Sequence, residues 1–259
     1  MRYTNGRKIS EKTTQCLRLM AKSGFVTRQI WCDFFAQGNP RWQRRQIQRL
    51  CEKRLIEPHA NSKAKDVFVL ASYGKILLAR EGLPFVHPPF VDQMEHDELV
   101  MRSVLELSKA QLIRGFLFEN EMKSSQMKQR RLPQSVGQDD QHFSDALFEL
   151  NTLGKNRIVA FEYERSGKSP QRYRDKLWAY SHTNSHWVVI FVCESDTIKS
   201  MIKRQLDYLR SPTLTSKVAF VDKSEWIKDP ANAEVVLENQ SFSIRSLVTP
   251  KIYEKDREV

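Results

Sequence analysis

The sequence predicts an α/β protein of two domains, in which a basic helical domain precedes a mixed β-sheet flanked by helices. Three observations predict this class. Residues 1–82 hold 17 Lys and Arg against 6 Asp and Glu, whereas the rest of the 259 residues holds 25 of each. Prolines interrupt residues 83–91, where a linker is expected. Beyond it, over residues 92–259, strand-like segments alternate with amphipathic helical ones.

Three helices are expected in the first domain, over residues 11–22, 26–35 and 41–55, with turns at Gly24 and at residues 38–40. In the third helix Ile47 and Leu50 belong to an apolar stripe, and basic residues lie on the opposite face. A solvated helix surface is the alternative for these basic residues, which have Glu52 as the one acid among them. The candidate DNA-binding residues of this helix are Arg41, Arg44, Arg45, Arg49 and Lys53.

A β-hairpin is expected next, with strands at residues 56–58 and 66–71. Its polar tip, residues 61–65, carries Lys63 and Lys65, which we also expect to contact DNA. Three helices followed by a basic hairpin resemble the winged helix-turn-helix family. That resemblance implies that the third helix enters the major groove and that the wing contacts the phosphate backbone.

The second domain is expected to contain an α/β layer with a central mixed sheet. The predicted helices cover residues 93–110, 169–181 and 197–210. The predicted strands cover residues 113–119, 145–150, 157–164, 187–193 and 217–221, with weak strand signals at 234–237 and 242–248.

The candidate catalytic centre lies between Ser144 and Tyr180. Asp145 opens one predicted strand, and Glu162 and Glu164 end the next. Because strand side chains alternate, Glu162 and Glu164 project from one face. Carboxylates from two neighbouring strands form an all-oxygen site suited to Mg²⁺ or Mn²⁺. An ordinary salt-bridged strand end is the alternative.

Basic residues follow the two glutamates closely. Lys168 comes after the strand, Ser169 and Pro170 have the character of a helix start, and Arg172 and Lys176 are one helical turn apart. Phosphodiester cleavage requires a metal to activate water, with cations nearby to stabilise the developing negative charge. Lys168 and Lys176 are therefore candidate catalytic residues, and Arg172 is a candidate DNA contact.

The residues Asp145, Glu162 and Glu164 resemble the PD-(D/E)XK nuclease superfamily, although Glu164 stands where that motif has lysine. More closely, Glu162, Glu164, Lys168, Arg172 and Tyr173, placed after a winged helix, resemble the MOBC relaxases of mobilisable plasmids and integrative elements, and the wider replication-relaxation family. The resemblance covers most of the chain. It implies a restriction-endonuclease-like fold, metal-dependent nicking at an origin of transfer, an accessory protein of the relaxosome, and a coupling ATPase as partner.

Other readings remain open from the residues alone. The second domain could lack catalysis, leaving a DNA-binding replication or transcription regulator. His96, Asp97 and Glu98 could supply a supporting acid or simply begin a helix. Tyr163, Tyr173 and Tyr180 are assigned to core packing rather than to nucleophilic attack. The remaining histidines are assigned to loops or the surface, namely His142, His182 and His186.

Several classes of protein are disfavoured by the sequence. It lacks the His-X-His metal motif of the commoner relaxases, so their tyrosine transesterification is not supported. The four cysteines show no zinc-knuckle or redox spacing and predict buried thiols in a reducing compartment. The polar, basic N-terminus does not resemble a secretory signal, and the longest apolar run is too short to span a bilayer, so a cytoplasmic location is expected.

Overall fold

The computed structural model describes residues 9–36, 38–61, 66–83, 85–123, 143–152, 157–182 and 185–248. Contacts divide the chain into two compact units. The first comprises Met1–Arg102 and Asn120–Arg130, and the second comprises Ser103–Glu119 and Arg131–Val259. The first unit therefore extends further along the chain than the basic domain that the sequence predicts.

The first unit combines helices with a small antiparallel sheet. Strand β3 is central, with β1 and β2 on its two sides. Its elements, in chain order, are α1 (Glu11–Ser23), β1 (Val26–Thr27), α2 (Arg28–Ile30), a π-helical turn (Trp31–Phe35), α3 (Pro40–Glu52), β2 (Ile56–Pro58), β3 (Val67–Leu70) and α4 (Ser72–Ala79).

Local side chains explain where these helices begin and end. Ser10 caps α1 by accepting a hydrogen bond from the Thr13 N–H, and Asn39 caps α3 in the same way, immediately before Pro40. Helix α1 ends at Gly24, whose φ of 88° is left-handed. A Cβ at Gly24 would also lie 2.5 Å from the His87 carbonyl oxygen, so glycine is required there for two reasons.

The single helix predicted over residues 26–35 is wrong at its start. Val26 and Thr27 form a strand that pairs with Phe68 and Val67 of β3. Both residues are β-branched and suit a strand, and the Thr27 hydroxyl then caps α2 by accepting from the Ile30 N–H at 3.2 Å. The helix consequently starts two residues later and passes into the π-helical turn.

The second unit is built on a seven-stranded mixed sheet in the order β10-β9-β8-β7-β6-β5-β4. Helix α5 (Val91–Lys109) begins in the first unit and enters the second at Ser103. After β4 (Ile113–Phe118), the short helix α6 (Glu119–Lys123) starts at the end of the second unit's first segment and returns to the first unit at Asn120. The remaining elements of the second unit are β5 (Ala146–Leu150), β6 (Arg157–Glu164), α7 (Pro170–Ser181), β7 (Val188–Cys193), α8 (Asp196–Leu209), α9 (Pro212–Thr215), β8 (Val218–Asp222), α10 (Lys223–Lys228), β9 (Val235–Leu237), β10 (Gln240–Phe242) and α11 (Ile244–Val248).

The topology places one strand, β6, at the change from antiparallel to parallel pairing. β4, β5 and β6 form an antiparallel meander, after which α7 leads to β7, parallel to β6, and α8 leads to β8, parallel to β7. Phe148, Phe161 and Phe191 are fully buried in the sheet core. The mixed α/β class predicted from the sequence is confirmed.

Most predicted elements of the second unit agree with the structure to within about two residues at each end, as is usual for helix and strand ends. The segment after β4, where the sequence predicts neither helix nor strand, begins with the short helix α6. The weak strand signal at residues 242–248 covers only the end of β10, and the remainder forms α11.

No helix within the described residues has the length and apolar character needed to cross a bilayer. The four cysteines are free thiols. Cys16 and Cys193 are buried as predicted, whereas Cys32 and Cys51 are only partly buried.

Candidate active site and nucleic-acid interface

The three predicted carboxylates lie where β5 and β6 pair. Ala146 is opposite Phe161 in the antiparallel register, so Asp145 lies just before β5 beside the Glu162 end of β6. The Asp145 Oδ2 accepts a hydrogen bond of 2.6 Å from the Tyr163 N–H. This contact fixes Asp145 against the strand that carries both glutamates.

Glu162 and Glu164 share one face of β6, as their spacing predicts, and both bind Lys176. The Lys176 ammonium donates to Glu162 Oε2 at 2.8 Å and to Glu164 Oε1 at 2.6 Å. The exposed fractions are 0% for Glu162, 1% for Glu164 and 8% for Lys176. The structure therefore brings these three predicted residues together in a buried ion cluster, which we call the Lys176 cluster.

Helix α7 positions the lysine. Ser169 accepts from the Arg172 N–H at 3.3 Å and Pro170 occupies the first turn, so the helix starts where the sequence predicts. Its buried side chains recur at three- and four-residue spacing and cover the glutamate face of β6. Lys176 lies on that buried face, between Tyr173 and Tyr180.

Tyr180 and Ser144, to which the sequence assigns no catalytic role, also contact this cluster. The Tyr180 hydroxyl donates to Glu162 Oε1 and lies 2.9 Å from Ser144 Oγ. Tyr180 therefore does more than pack in the core, because its hydroxyl binds a candidate catalytic carboxylate. Its position four residues after Lys176 is the sequence signal that places it on the same helix face.

Lys168 closes the exposed side of the cluster. Its ammonium lies 2.9 Å from Glu164 Oε2, and it is more exposed than Lys176. The Lys168 N–H also donates to the Tyr173 hydroxyl at 3.3 Å. Arg172, by contrast, is exposed and forms no ion pair within the described residues, so it does not share the buried environment of Lys176.

Charge is nearly balanced in this buried region. Burial alone would lower the pKa of Lys176, but the carboxylates of Glu162 and Glu164 outweigh it and hold the pKa above its ordinary value. Burial, and then the charge of Glu162, also raise the pKa of Tyr180. Lys176 is thus held as an ammonium ion and Tyr180 as a neutral hydroxyl.

The donor chemistry of Asp145, Glu162 and Glu164 suits a hard divalent cation, since all three supply carboxylate oxygens. However, Lys176 occupies the position between the two glutamates. Within the described residues, no three His, Cys, Asp or Glu side chains are arranged as a metal-binding group. Metal binding at this site therefore requires the contacts of Lys176 to rearrange.

A second polar group lies on the opposite face of β6. The Tyr163 hydroxyl donates to Glu194 Oε2 at 2.5 Å, and Lys223 lies 2.7 Å from the same oxygen. Burial, and then the hydrogen bond to Glu194, raise the pKa of Tyr163 to about 12. Tyr163 points away from the Lys176 cluster, which is consistent with its predicted exclusion from catalysis.

These pKa shifts predict alkaline sensitivity. The folded state holds protons on Lys176, Tyr163 and Tyr180 at pH values where the unfolded chain, with ordinary pKa values of about 10 for Tyr and 10.4 for Lys, releases them. Their stabilisation is complete below those values and is lost as the pH rises. We expect the free energy of unfolding to fall above about pH 10.

An ultraviolet absorbance titration of tyrosine measures this directly. Tyr163, Tyr173 and Tyr180 have raised pKa values and are expected to ionise at higher pH than ordinary tyrosines, and a Tyr180→Phe variant would remove one of the three delayed ionisations. Ionisation of all seven tyrosines near pH 10 in the folded protein would contradict the expectation.

The first unit presents the candidate DNA-binding surface. Ile47 and Leu50 are the buried residues of α3. The predicted basic residues Arg41, Arg44, Arg45, Arg49 and Lys53 are all exposed. Within the described residues, none of the four arginines forms an ion pair, so their charges are available to an external anion. Lys63 and Lys65, the predicted wing contacts, lie outside the described residues.

The histidines have varied environments. His186 lies in the loop before β7, as predicted, but it is only 3% exposed and packs edge-on against the Tyr180 ring. His182 is exposed and lies against Trp178. His96 binds Asp97, and Glu98 accepts from the Thr27 hydroxyl. His142 lies outside the described residues.

Comparisons of this chain with protein-family models, with curated proteins and with solved structures find no match.

Proposed function

We propose that this protein binds DNA through its first unit and nicks DNA phosphodiesters in a metal-dependent reaction at the Lys176 cluster, as a relaxase acting at an origin of transfer would. One observation carries the proposal. Glu162 and Glu164 project from one face of β6, beside Asp145 and directly against Lys176. Acids and a lysine in this arrangement are the groups that phosphodiester cleavage uses.

The topology supports the same reading. Helix α5 precedes the antiparallel meander β4–β6, and α7 leads to the parallel strand β7. The resemblance to PD-(D/E)XK nucleases implies a mixed sheet flanked by helices, and this order of elements is compatible with it. Glu162 and Glu164 lie on the third strand of the meander, and Asp145 directly precedes the neighbouring strand β5.

Each residue of the site has a role in this proposal. Asp145, Glu162 and Glu164 would hold Mg²⁺ or Mn²⁺, which supplies an activated water and neutralises charge on the phosphate. Lys176 and Lys168 stabilise the negative charge that develops during cleavage. Tyr180 orients Glu162 through its hydroxyl. Arg172, exposed at the start of α7, contacts the DNA backbone.

The first unit supports DNA binding. Its helix α3 is followed by the antiparallel pair β2 and β3, and β1 adds to the other side of β3. This order matches the expected winged helix-turn-helix, with α3 as the helix that enters the major groove. The arginines of α3, which form no ion pair within the described residues, supply the positive surface that the DNA backbone requires. A cytoplasmic location, an accessory protein and a coupling ATPase belong to the same proposal.

A second function is favoured by a different observation. Lys176 binds both glutamates and could serve as a permanent substitute for a metal ion. The second unit would then only stabilise or dock, and the protein would be a DNA-binding regulator. This alternative predicts DNA binding without cleavage under any metal condition.

Nicking of supercoiled DNA tests the proposal. A supercoiled plasmid that carries a candidate origin-of-transfer sequence would be incubated with the full chain and Mn²⁺ or Mg²⁺. Open circles would then be separated from supercoils on a gel. We expect open circles with metal and none when a chelator is added. Intact supercoils at every metal concentration, with DNA binding retained, would favour the regulator.

Replacing Arg44, Arg45 and Arg49 with Ala tests the proposed DNA-binding surface. We expect weaker duplex binding. We also expect the slope of the logarithm of the binding constant against the logarithm of the salt concentration to become less negative by about 0.9 for each lost phosphate contact. Fluorescence anisotropy over a salt series provides both quantities. The matched control, the exposed basic residues Lys12, Lys75 and Arg80 changed to Ala, removes equal charge elsewhere in the first unit. Equal effects in both triple variants would contradict a specific role for α3.

A further inference from the structure

Two large aromatic side chains are exposed on neighbouring helices of the second unit. Trp178 of α7 is 57% exposed and Tyr208 of α8 is 70% exposed. Within the described residues of this unit, the only other exposed large hydrophobic side chain is Ile227. Tyr and Trp are enriched at binding interfaces, because each combines a large apolar ring with a polar group.

Arg174 of α7 contacts side chains of both helices. Its guanidinium carbon lies 5.2 Å from the centre of the Tyr208 ring. It donates to Gln205 Oε1 and to Gln171 Oε1, both at 2.8 Å. Trp178 is one helical turn beyond Arg174 on α7, and its ring centre is 4.0 Å from that of His182. We call Arg174, Trp178, His182 and Tyr208 the aromatic surface.

This surface is distinct from the Lys176 cluster. Tyr173, Lys176 and Tyr180 are buried on the inner face of α7, whereas Arg174, Trp178 and His182 follow one another at four-residue spacing on its outer face. The cluster needs none of these outer residues for its hydrogen bonds.

The charge around the aromatic surface favours an anionic partner. Arg172, Arg204 and Arg210 are exposed, and none of them forms an ion pair within the described residues. Arg204 is one turn before Tyr208, and Arg210 ends α8. The exposed acids of the two helices are Asp175, Asp196 and Asp207, and Asp175 accepts a hydrogen bond from Gln171. A polyanion would therefore find unneutralised guanidinium groups beside exposed rings.

We propose that the aromatic surface binds single-stranded DNA, with bases stacked on Trp178 and Tyr208 and phosphates held by the neighbouring arginines. Flat rings interspersed with arginines suit unpaired bases, because every base offers a face for stacking and every nucleotide a phosphate. Duplex DNA hides those faces within its own stack. The choice of DNA rests on the proposed function, since nicking releases a strand that must be held.

Binding of oligo-dT by the full chain, measured in the presence of a chelator, tests this inference. The Arg44, Arg45 and Arg49 to Ala background minimises binding through α3. We expect Trp178→Ala and Tyr208→Ala to weaken oligo-dT binding by about 5- to 150-fold each. Trp178→Phe is expected to keep the affinity within about threefold because an aromatic face remains. Ile227→Ala is the matched control and is expected to have no effect.

Two further readouts separate stacking from simple charge attraction. Oligo-dT is expected to quench intrinsic tryptophan fluorescence, and Trp178→Phe is expected to reduce that quenching although the strand still binds. An abasic strand is expected to bind wild type more weakly than oligo-dT. It is expected to bind the Trp178→Ala/Tyr208→Ala double variant about as well as oligo-dT does.

Unchanged oligo-dT affinity in the double variant would overturn the proposal and would point to a protein as the partner of this surface. Because the measurement needs no metal, it is independent of nicking. Undiminished nicking in a Glu162 variant, or the absence of nicking by wild type, with oligo-dT binding intact would count against the catalytic proposal alone. Circular dichroism would establish that the double variant, changed only at exposed positions, is folded.

Discussion

Glu162→Gln is expected to abolish metal-dependent nicking while DNA binding persists. The substitution keeps the size of the side chain but removes the negative charge that both a divalent cation and Lys176 require. Loss of a ligand or of an electrostatic group at a catalytic centre commonly costs two or more orders of magnitude in rate. The measurement is the rate of conversion of supercoiled plasmid to open circles.

A matched variant guards against a general effect of losing a glutamate. Glu149 lies on the adjacent strand β5, and Glu149→Gln makes the same chemical change without touching the Lys176 cluster. Nicking by that variant is expected to match wild type. Undiminished nicking in Glu162→Gln would place the reaction elsewhere, and equal losses in both variants would indicate a fault of folding.

Lys176→Met is expected to give the largest loss of stability. The ammonium of Lys176 neutralises two carboxylates that are almost completely inaccessible to water. Removing one partner from a buried ion pair leaves an uncompensated charge and costs about 3–5 kcal/mol of the free energy of unfolding. Urea denaturation followed by circular dichroism measures this loss.

A double variant keeps the stability prediction testable even when Lys176→Met does not fold. The variant Glu162→Gln/Lys176→Met leaves Glu164 paired with Lys168. It also replaces the Glu162 carboxylate, which would otherwise be buried without a cation, by a neutral amide. We expect it to recover part of the lost stability, because a neutral polar group is cheaper to bury than an isolated charge. Lys228→Met, at an exposed position, is the control and is expected to stay within about 0.5 kcal/mol of wild type. A single variant as stable as that control would contradict the account of the cluster.

Local patterns in the sequence predict much of the fold. The sequence predicts a strand over residues 157–164, and β6 has the same bounds. The prediction succeeds because this segment is rich in residues with high strand propensity and is followed by turn-forming residues. Val26 and Thr27 could not be assigned locally, since their strand exists only by pairing with Phe68 and Val67, about forty residues away. Helix α4 is not predicted from the sequence. It follows β3 after a single residue, so the apolar residues of the two elements form one continuous segment.

The candidate site was partly predictable for a similar reason. The two-residue period of a strand predicts that Glu162 and Glu164 share one face. The one-turn spacing on α7 predicts Lys176 beside Arg172, but Arg172 is exposed and only Lys176 reaches the glutamates. How deeply these charges are buried depends on how α7 packs on the sheet, which no local pattern encodes. The hydrogen bonds of Tyr180 to Glu162 and Ser144 arise from that packing, so an assignment to the core alone missed them.

Strand β6 presents unlike chemistry on its two faces, with Glu162 and Glu164 toward α7 and Phe161 and Tyr163 toward Trp226 and Lys223. Inserting or deleting one residue ahead of Glu162 would exchange the faces, so that the acids would meet the indole of Trp226 and the rings would meet Lys176. Substitutions within β6 are therefore easier to tolerate than insertions or deletions. An insertion or deletion within the strand keeps the two faces only when it changes the length by two residues.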